Sequence, residues 1–485
     1  MTNFKKKDVY LQREKKHIQR SQTQTVVTML KRKFTGYLEQ YLQNNPDKIL
    51  LVNGARQIGK SYTIRYVGKK MFRHFVEINL KEDKEGEQVF VDVHTTNDLY
   101  MRLSNYHARH LGDKSDTLVF LDEIQSYPHL LTMLKFLNQE GRYRFIASGS
   151  QLGIALSQTP SVPLGSIETQ QMYPLDFEEF LWATGIGEEW IGEIRKHFEH
   201  EETLDESVHN LLMKRFQHYL LVGGLPEAIN RYLEDRNMMR VRAVHKEIHN
   251  LYRIDASQYD DEHKLKIRRI YDLIPSHLEN HKKRIVYKHI ENKIGRDFSD
   301  YADEFEYLSN SGVALEVMAI SNPKFPLMET EQKRLVKLYL NDVGLLTHLL
   351  YGLNVNAVLQ DIRSINLGTV YESVVAQELH AHGFPLHYYD KKPTGEVDFL
   401  IDDFGRLKVL PVEVKSGKNY TEHSALSKFL QTPDYGIDRA IVFSNERQVK
   451  HKNGVVYMPV YYCMFLHYNP IDEASAVLPE LEMLG

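Results

Sequence analysis

Residues 48–61 read Lys48-Ile49-Leu50-Leu51-Val52-Asn53-Gly54-Ala55-Arg56-Gln57-Ile58-Gly59-Lys60-Ser61. Lys48 to Val52 places four apolar residues behind one charge, the pattern of a short buried strand. Gly54 to Ser61 fits G-x-x-x-x-G-K-[ST]. From Ser61 onward, Ile64, Val67 and Gly68 fall on one helical face. In a strand–turn–helix of this kind Gly54 and Gly59 let the backbone turn tightly, so that successive N–H groups face an anion. The following helix adds the partial positive charge of its N-terminus. The spacing predicts a phosphate-binding loop made of Gly54, Ala55, Arg56, Gln57, Ile58, Gly59, Lys60, Ser61 and Tyr62. Lys60 would reach the β- and γ-phosphates of ATP, and the Ser61 hydroxyl would bind Mg²⁺.

Such a loop calls for an acidic element at the end of another buried strand. Thr117-Leu118-Val119-Phe120-Leu121-Asp122-Glu123 supplies one. Asp122 is the expected second Mg²⁺ ligand, and Glu123 the general base that orients and polarises an attacking water. A third strand, Tyr143 to Ala147, ends in Ser148-Gly149-Ser150. Ser148 and Ser150 read equally as sensors of the terminal phosphate or attacking water and as a plain Ser-Gly turn. Phe75 to Leu80 reads as a further strand. Strands alternating with helices predict an α/β fold with a parallel sheet and its ligand at the strand C-termini.

The composition sets wide bounds. At roughly 150 residues per domain, 485 residues suggest about three domains. A hydrophobic share of 42% and a charged share of 26% exclude a disordered or collagen-like chain. The net charge of −4 excludes a globally basic binder but not a local basic patch. A single cysteine, Cys463, excludes an intrachain disulfide and a multi-cysteine zinc site, and reads as a core residue. No run approaches the length of a membrane helix, which leads to the expectation of a cytoplasmic protein with no membrane partner.

The chain resembles the bacterial and archaeal AAA+ ATPases that carry a C-terminal domain of unknown function. The resemblance runs from about Met29 to the C-terminal region. It rests on GARQIGKS at Gly54 to Ser61, VFLDEIQ at Val119 to Gln125 and SGS at Ser148 to Ser150. It continues through MYPLDFEEFL at Met172 to Leu181, GGLPEA at Gly223 to Ala228, KLYLNDVGLL at Lys337 to Leu346, and the VDFL and VEVKSG segments beginning at Val397 and Val412. It implies an AAA+ core, a helical lid, a winged-helix-like segment and a C-terminal α/β domain like the restriction endonucleases. One departure stands out: where many relatives carry a basic residue after a glycine, Gly165 is followed by Ser166. Arg142, Arg144 and Arg231 are weak substitutes for an arginine finger from that position.

The expected divisions are a basic tail over 1–28, the AAA+ core over 29–204, the lid over 205–260, a winged-helix-like segment over 261–352 and a PD-(D/E)XK nuclease-like domain over 353–485. The tail carries seven Lys/Arg against two acids. In the middle segment, Lys264, Lys266, Arg268, Arg269, Lys282, Lys283, Arg284 and Lys288 form the best basic patch for a nucleic acid. The helix expected over Phe298 to Gly312 carries Asp300, Asp303, Glu304 and Glu306, which would repel phosphates. Ala314 to Ile320 and Leu335 to Leu340 read as a two-stranded wing.

In the C-terminal part, Val397 to Ile401 and Leu407 to Val414 alternate as a hairpin folded about Phe404 and Gly405. That fold sets Asp398 against the region of Pro411 to Glu413, with Lys415 on the same face as Glu413. Glu372 would arrive from a helix behind. Asp398, Glu413, Lys415 and Glu372 match the PD-(D/E)XK arrangement, in which carboxylates bind one or two Mg²⁺ and the lysine prepares the attacking water. Two functions remain open. One is an ATPase coupled to a nuclease-like domain acting on nucleic acid, DNA ahead of RNA. The other is a nucleotide-dependent switch that binds a protein partner or further copies of itself without cleavage.

Overall fold

The apolar run ahead of the glycine-rich loop forms strand β1 (Ile49–Asn53), every residue of which is buried. It lies inside a sheet with β2 (His74–Asn79), β3 (Thr117–Asp122), β4 (Arg144–Gly149) and β5 (Ile167–Gln171), in the order β2-β3-β4-β1-β5. All four pairings are parallel. Parallel strands buried on both faces need continuous apolar runs, and β1 and β3 have them. The parallel register brings the loops after β1, β3 and β4 to one edge, so the glycine-rich loop, Asp122 and Ser148 meet there.

This computed structural model describes residues 29–44, 46–107, 111–157, 165–256, 263–280, 283–360, 367–392, 394–417 and 420–468. The chain divides into two units, Met1–Lys31 and Arg32–Gly485. The basic tail expected over 1–28 lies outside the described residues. Among the described residues, no helix is long and apolar enough to cross a membrane. Cys463 is buried.

Between β5 and the second sheet the described residues are mainly helical. The stretch expected as a lid forms Glu206–Val222, Pro226–Asp235 and Met238–Ala256. A second, mixed sheet contains β6 (Ala314–Ile320), β7 (Glu331–Leu340), β8 (His387–Lys391), β9 (Gly395–Asp403), β10 (Lys408–Lys415), β11 (Ala440–Ser444), β12 (Lys450–Lys452) and β13 (Val455–Pro459). Its order is β12-β13-β11-β10-β9-β8-β6-β7.

This order corrects the expected wing. β6 and β7 pair antiparallel, but β6 also pairs in parallel with β8, Met318 opposite His387. The two strands are the end of the C-terminal sheet, and the division expected at 352/353 falls within one sheet. The physical reason is burial. Val317, Ala319, Val336 and Leu338 are all buried, and a free two-stranded ribbon has nothing to bury them against.

Three segments far apart in sequence meet at one tight junction. Leu175 N–H donates to Gly224 O at 2.7 Å, and Gly224 N–H donates to Asp342 Oδ2 at 2.6 Å. A Cβ on Gly224 would collide with the backbone of Leu175, and one on Gly344 with the carbonyl of Val222. The helix Leu367–Ala381 joins them: Gln377 Oε1 accepts from Val343 N–H at 2.9 Å, and Glu378 Oε1 from Phe177 N–H at 2.8 Å. The junction ties the first sheet, the helical segment and the second sheet into one packed body.

Candidate functional site

The loop after β1 turns through three left-handed positions, Gly54 (φ 146°), Gln57 (φ 64°) and Gly59 (φ 96°). A Cβ on Gly54 would collide with the carbonyl oxygen of Met172, so only glycine fits there. The helix Lys60–Met71 follows, and no side chain among the described residues caps its N-terminus. Its first N–H groups have no acceptor within the helix and are available to an anion. Ile58 is fully buried and forms the wall of the loop, whereas Tyr62 is 42% exposed. Lys60 is buried, and its ammonium donates to Gly54 O and Ala55 O at 2.8 Å each. Burial draws its pKa down to about 8 against the pull of Glu123 and Asp122. A buried ammonium resting on loop carbonyls fits a polyphosphate: it gains an anionic partner by leaving them.

At the end of β3, Asp122 is gripped from two sides. Ser61 Oγ donates to its Oδ2 at 2.6 Å, and Ser148 Oγ to its Oδ1. Ser61 and Asp122 therefore stand together, and their oxygens could hold a cation. Ser148 is fully buried against Asp122 and orients that carboxylate. Ser150 is buried too, with no partner for its hydroxyl among the described residues, and lines a small cavity with Arg56, Gln151 and Asp255. Glu123 occupies a left-handed position (φ 55°), and Gln125 Nε2 donates to its Oε2.

Further side chains at this site escaped the sequence reading. Arg32 is buried and donates to Ile58 O at 2.9 Å, to Tyr173 O at 2.7 Å and to Glu179, bracing the loop from behind. Asp255, on the helix Met238–Ala256, pairs with Arg56, and Tyr252 OH donates to Arg56 O at 2.9 Å. Burial lifts the Asp255 carboxyl to about 6 although Arg56 opposes the shift. Tyr307 OH donates to Asp255 O at 2.8 Å and closes the clasp. Gln125 was quoted in a motif but given no role. An acid partner for Arg56, 199 positions away, carries no local sequence signal.

The second constellation lies on β9 and β10. The antiparallel register sets Phe399 opposite Val412, so Asp398 falls opposite Glu413. Asp398 N–H donates to Glu413 Oε2 at 3.5 Å, and Val414 N–H to Asp398 Oδ2 at 2.9 Å. Lys415 Nζ donates to Glu413 Oε1 at 2.6 Å. Glu372 comes from the helix Leu367–Ala381, where Tyr339 OH donates to it at 3.4 Å and Lys283 pairs with it. Glu372, Asp398 and Glu413 are 4%, 7% and 5% exposed. Burial, with Asp398 close by, pushes Glu372 and Glu413 above the usual carboxylate range. Burial works against the Lys415 charge, but Glu413 and Asp398 outweigh it and raise its pKa. The four expected residues are together, joined by Lys283 and Tyr339. The donor chemistry suits a divalent cation. The spacing is not closed, however. Among the described residues, the three-residue group whose ligand atoms all lie within 4.8 Å of one another is Asp176, Glu378 and His382 at the motif junction.

Four of the eight residues of the expected basic patch form ion pairs. Lys266 pairs with Glu304, Arg268 with Asp272, Lys283 with Glu372 and Arg284 with Asp390. Lys282 lies outside the described residues. The finger substitutes are also engaged locally. Arg142 lies over the rings of Tyr100 and Tyr143, Arg144 donates to Leu42 O at 2.6 Å, and Arg231 pairs with Glu227 and Glu234.

Residues 46–181 match the model of the AAA domain family AAA_14. Residues 213–357 and 367–463 match two domains of unknown function, DUF8612 and DUF4143. No curated protein matches the chain in sequence. Similar solved structures include a Walker-type ATPase of Pyrococcus abyssi, 14% identical, covering 66% of this chain and 96% of that chain at a TM-score of 0.39. Others are Cdc6p of Pyrobaculum aerophilum (13% identity, 69% and 95% coverage, TM-score 0.27) and the RuvB Holliday junction branch migration motor of Thermotoga maritima (12% identity, 59% and 89%, TM-score 0.28). The family match over 46–181, on a parallel sheet whose loop edge gathers Lys60, Ser61 and Asp122, makes this segment an AAA-type P-loop ATPase domain and the chain an ATPase.

Proposed function

We propose that the chain binds ATP with Mg²⁺, hydrolyses it in the 46–181 domain, and couples the cycle to a carboxylate–lysine site in residues 367–463 that acts on a nucleic-acid phosphodiester. The observation that carries the first half is the Ser61–Asp122 hydrogen bond beside a buried Lys60. In this reading Lys60 leaves the Gly54 and Ala55 carbonyls for the β- and γ-phosphate oxygens, and the loop N–H groups hold the remaining charge. Ser61 and Asp122 would hold a divalent cation, which would supply positive charge to offset that of the phosphates. Ser148 fixes the Asp122 carboxylate. Glu123 accepts the proton of the attacking water, held in place by Gln125.

The second half is supported by Asp398 standing opposite Glu413 with Lys415 on the same face. Asp398, Glu413 and Glu372 would hold the cation, and Lys415 positions the attacking water. The switch reading is favoured by a different observation, the clasp of Asp255 and Tyr252 on Arg56, which ties the helical segment to the phosphate loop. In that reading nucleotide binding releases the helices to a partner, and no bond in a nucleic acid is cut.

One experiment separates them. Full-length protein is incubated with plasmid and linear DNA, with Mg²⁺ or Mn²⁺, with and without ATP, beside Glu123→Gln and the pair Asp398→Ala/Lys415→Ala. The proposal expects cleavage that disappears in the paired variant, and ATP binding without turnover in Glu123→Gln. Cleavage that survives in the paired variant overturns the second site. Absence of both cleavage and salt-dependent DNA binding favours the switch.

A further inference from the structure

Lys283 has no place in the Asp398–Glu413–Lys415 pattern, yet the fold delivers it into that site with care. Described residues on both sides of it are held in place. Upstream, Thr369 Oγ1 donates to Leu278 O at 3.1 Å. Downstream, Arg284 donates to Tyr388 OH at 2.8 Å and to Asp390 Oδ2 at 2.6 Å. Lys283 itself takes a left-handed backbone (φ 51°), an uncommon conformation for a residue with a side chain. Its ammonium pairs with Glu372, only 16% of the side chain being exposed, and it also feels the charges of Asp398 and Glu396. Glu372 is thereby turned to a lysine, Glu413 is held by Lys415, and the three carboxylates stay short of the closed spacing of a cation site.

We infer that Lys283 is an internal cation of the second site, occupying beside Glu372 the position that a divalent cation takes, so that metal loading requires its withdrawal. The inference rests on the reading of Glu372, Asp398 and Glu413 as cation ligands. An ammonium and a divalent cation cannot share one buried carboxylate without strong like-charge repulsion, so the two compete. The two partners come from different parts of the chain. Lys283 belongs to the stretch matched as 213–357, while the three carboxylates belong to 367–463. The stretch with Lys283 also includes Asp255 and Tyr252, which clasp the phosphate loop. Occupancy of the carboxylate site is thus set by the placement of a neighbouring segment.

The test measures Mn²⁺ binding to the full-length chain without nucleotide, by the loss of free-Mn²⁺ electron paramagnetic resonance signal. Wild type is compared with Lys283→Gln, Lys283→Arg, Asp398→Asn and the double variant Lys283→Gln/Asp398→Asn. Thermal melting without metal shows that each variant is folded. Glutamine keeps a donor for Glu372 and arginine keeps the charge, so together they separate charge from packing. Lys283→Gln is expected to bind Mn²⁺ roughly tenfold or more tightly than wild type. Lys283→Arg should stay at the wild-type level, and the gain should vanish in the double variant. Unchanged or weaker binding in folded Lys283→Gln, with Asp398→Asn still removing a binding step, overturns the role of Lys283 and leaves the carboxylate site standing. Binding that Asp398→Asn does not affect overturns the carboxylate reading itself.

Discussion

The Ser61 hydroxyl donates to Asp122 Oδ2 at 2.6 Å, joining the first turn after the phosphate loop to the end of a strand 61 positions further along. The parallel pairing of β1 with β4 and of β4 with β3 holds the two residues at one sheet edge. Removing either side chain should spare the fold, because β1 and β3 keep their apolar runs. Ser61→Ala and Asp122→Asn are expected to lower kcat for ATP roughly a hundredfold or more, with a smaller loss of nucleotide affinity. Steady-state hydrolysis beside a nucleotide-binding titration checks this. Equal losses in both, or none in kcat, would remove the pair from the chemistry.

The Arg56–Asp255 pair makes a prediction of opposite sign. In the clasped state the guanidinium is turned to the helix Met238–Ala256. Asp255→Asn frees it for a phosphate and loosens the helix. ATP should bind roughly three- to tenfold more tightly, and the fold should lose about 1–3 kcal/mol from breaking a part-buried pair. A fluorescent-nucleotide titration and a urea melt read the two effects. Unchanged or weaker ATP binding contradicts the clasp.

Two glycines give a paired stability test. A methyl on Gly224 would collide with Leu175 backbone atoms, which cannot give way without opening the motif junction. Gly224→Ala should cost about 3 kcal/mol or more. Gly192, in the helix Glu188–Glu199, has nothing within 4 Å of its added Cβ. Gly192→Ala should therefore gain about 0.5–1 kcal/mol from helix propensity. Urea melts of both variants decide, and similar values for the two would contradict the packing at the junction.

His245 sets a pH dependence. The ring is fully buried, with Nε2 3.0 Å from Val222 O and Nδ1 facing the Arg242 guanidinium at 3.3 Å. Those partners call for a neutral ring with the proton on Nε2. Burial, then the Arg242 charge, draws its pKa down to about 3. A depressed folded pKa means that the unfolded chain takes up the proton first. The stability linked to this group is complete above about pH 6.5 and is lost as pH falls toward 3. Relative to wild type, His245→Asn should flatten the fall of unfolding free energy between about pH 4 and 6 by up to about 1.4 kcal/mol per pH unit. Urea melts across that window test it, and parallel pH profiles would contradict it.

How much was readable in sequence depends on the distance over which the chemistry acts. The strand, loop and helix from Ile49 to Met71 are contiguous, and each residue's demand is met by its neighbours, so the pattern shows. The Asp398–Glu413 pairing was also readable, because a short hairpin turn and two-residue alternation fix the register. The wing was misread because alternation in Ala314–Ile320 shows which face is buried but not which strand lies alongside; β8 is separated from it by more than sixty positions. Asp255 and Arg32 were missed, and Lys283 was read as part of a nucleic-acid patch rather than as the partner of Glu372, because a single charge far from its partner looks like any solvated side chain. Gly223-Gly224 entered only as part of the GGLPEA stretch, whereas the packing of Leu175 and Asp342 shows why a side chain is excluded there.

ATP binding by the full-length chain, measured by titration with Mg²⁺ in wild type and Lys60→Ala, tests the central claim most directly. The account predicts saturable binding and turnover in wild type, with both lost in Lys60→Ala while its thermal melting stays within a few degrees. A folded Lys60→Ala that binds ATP as tightly as wild type would contradict it.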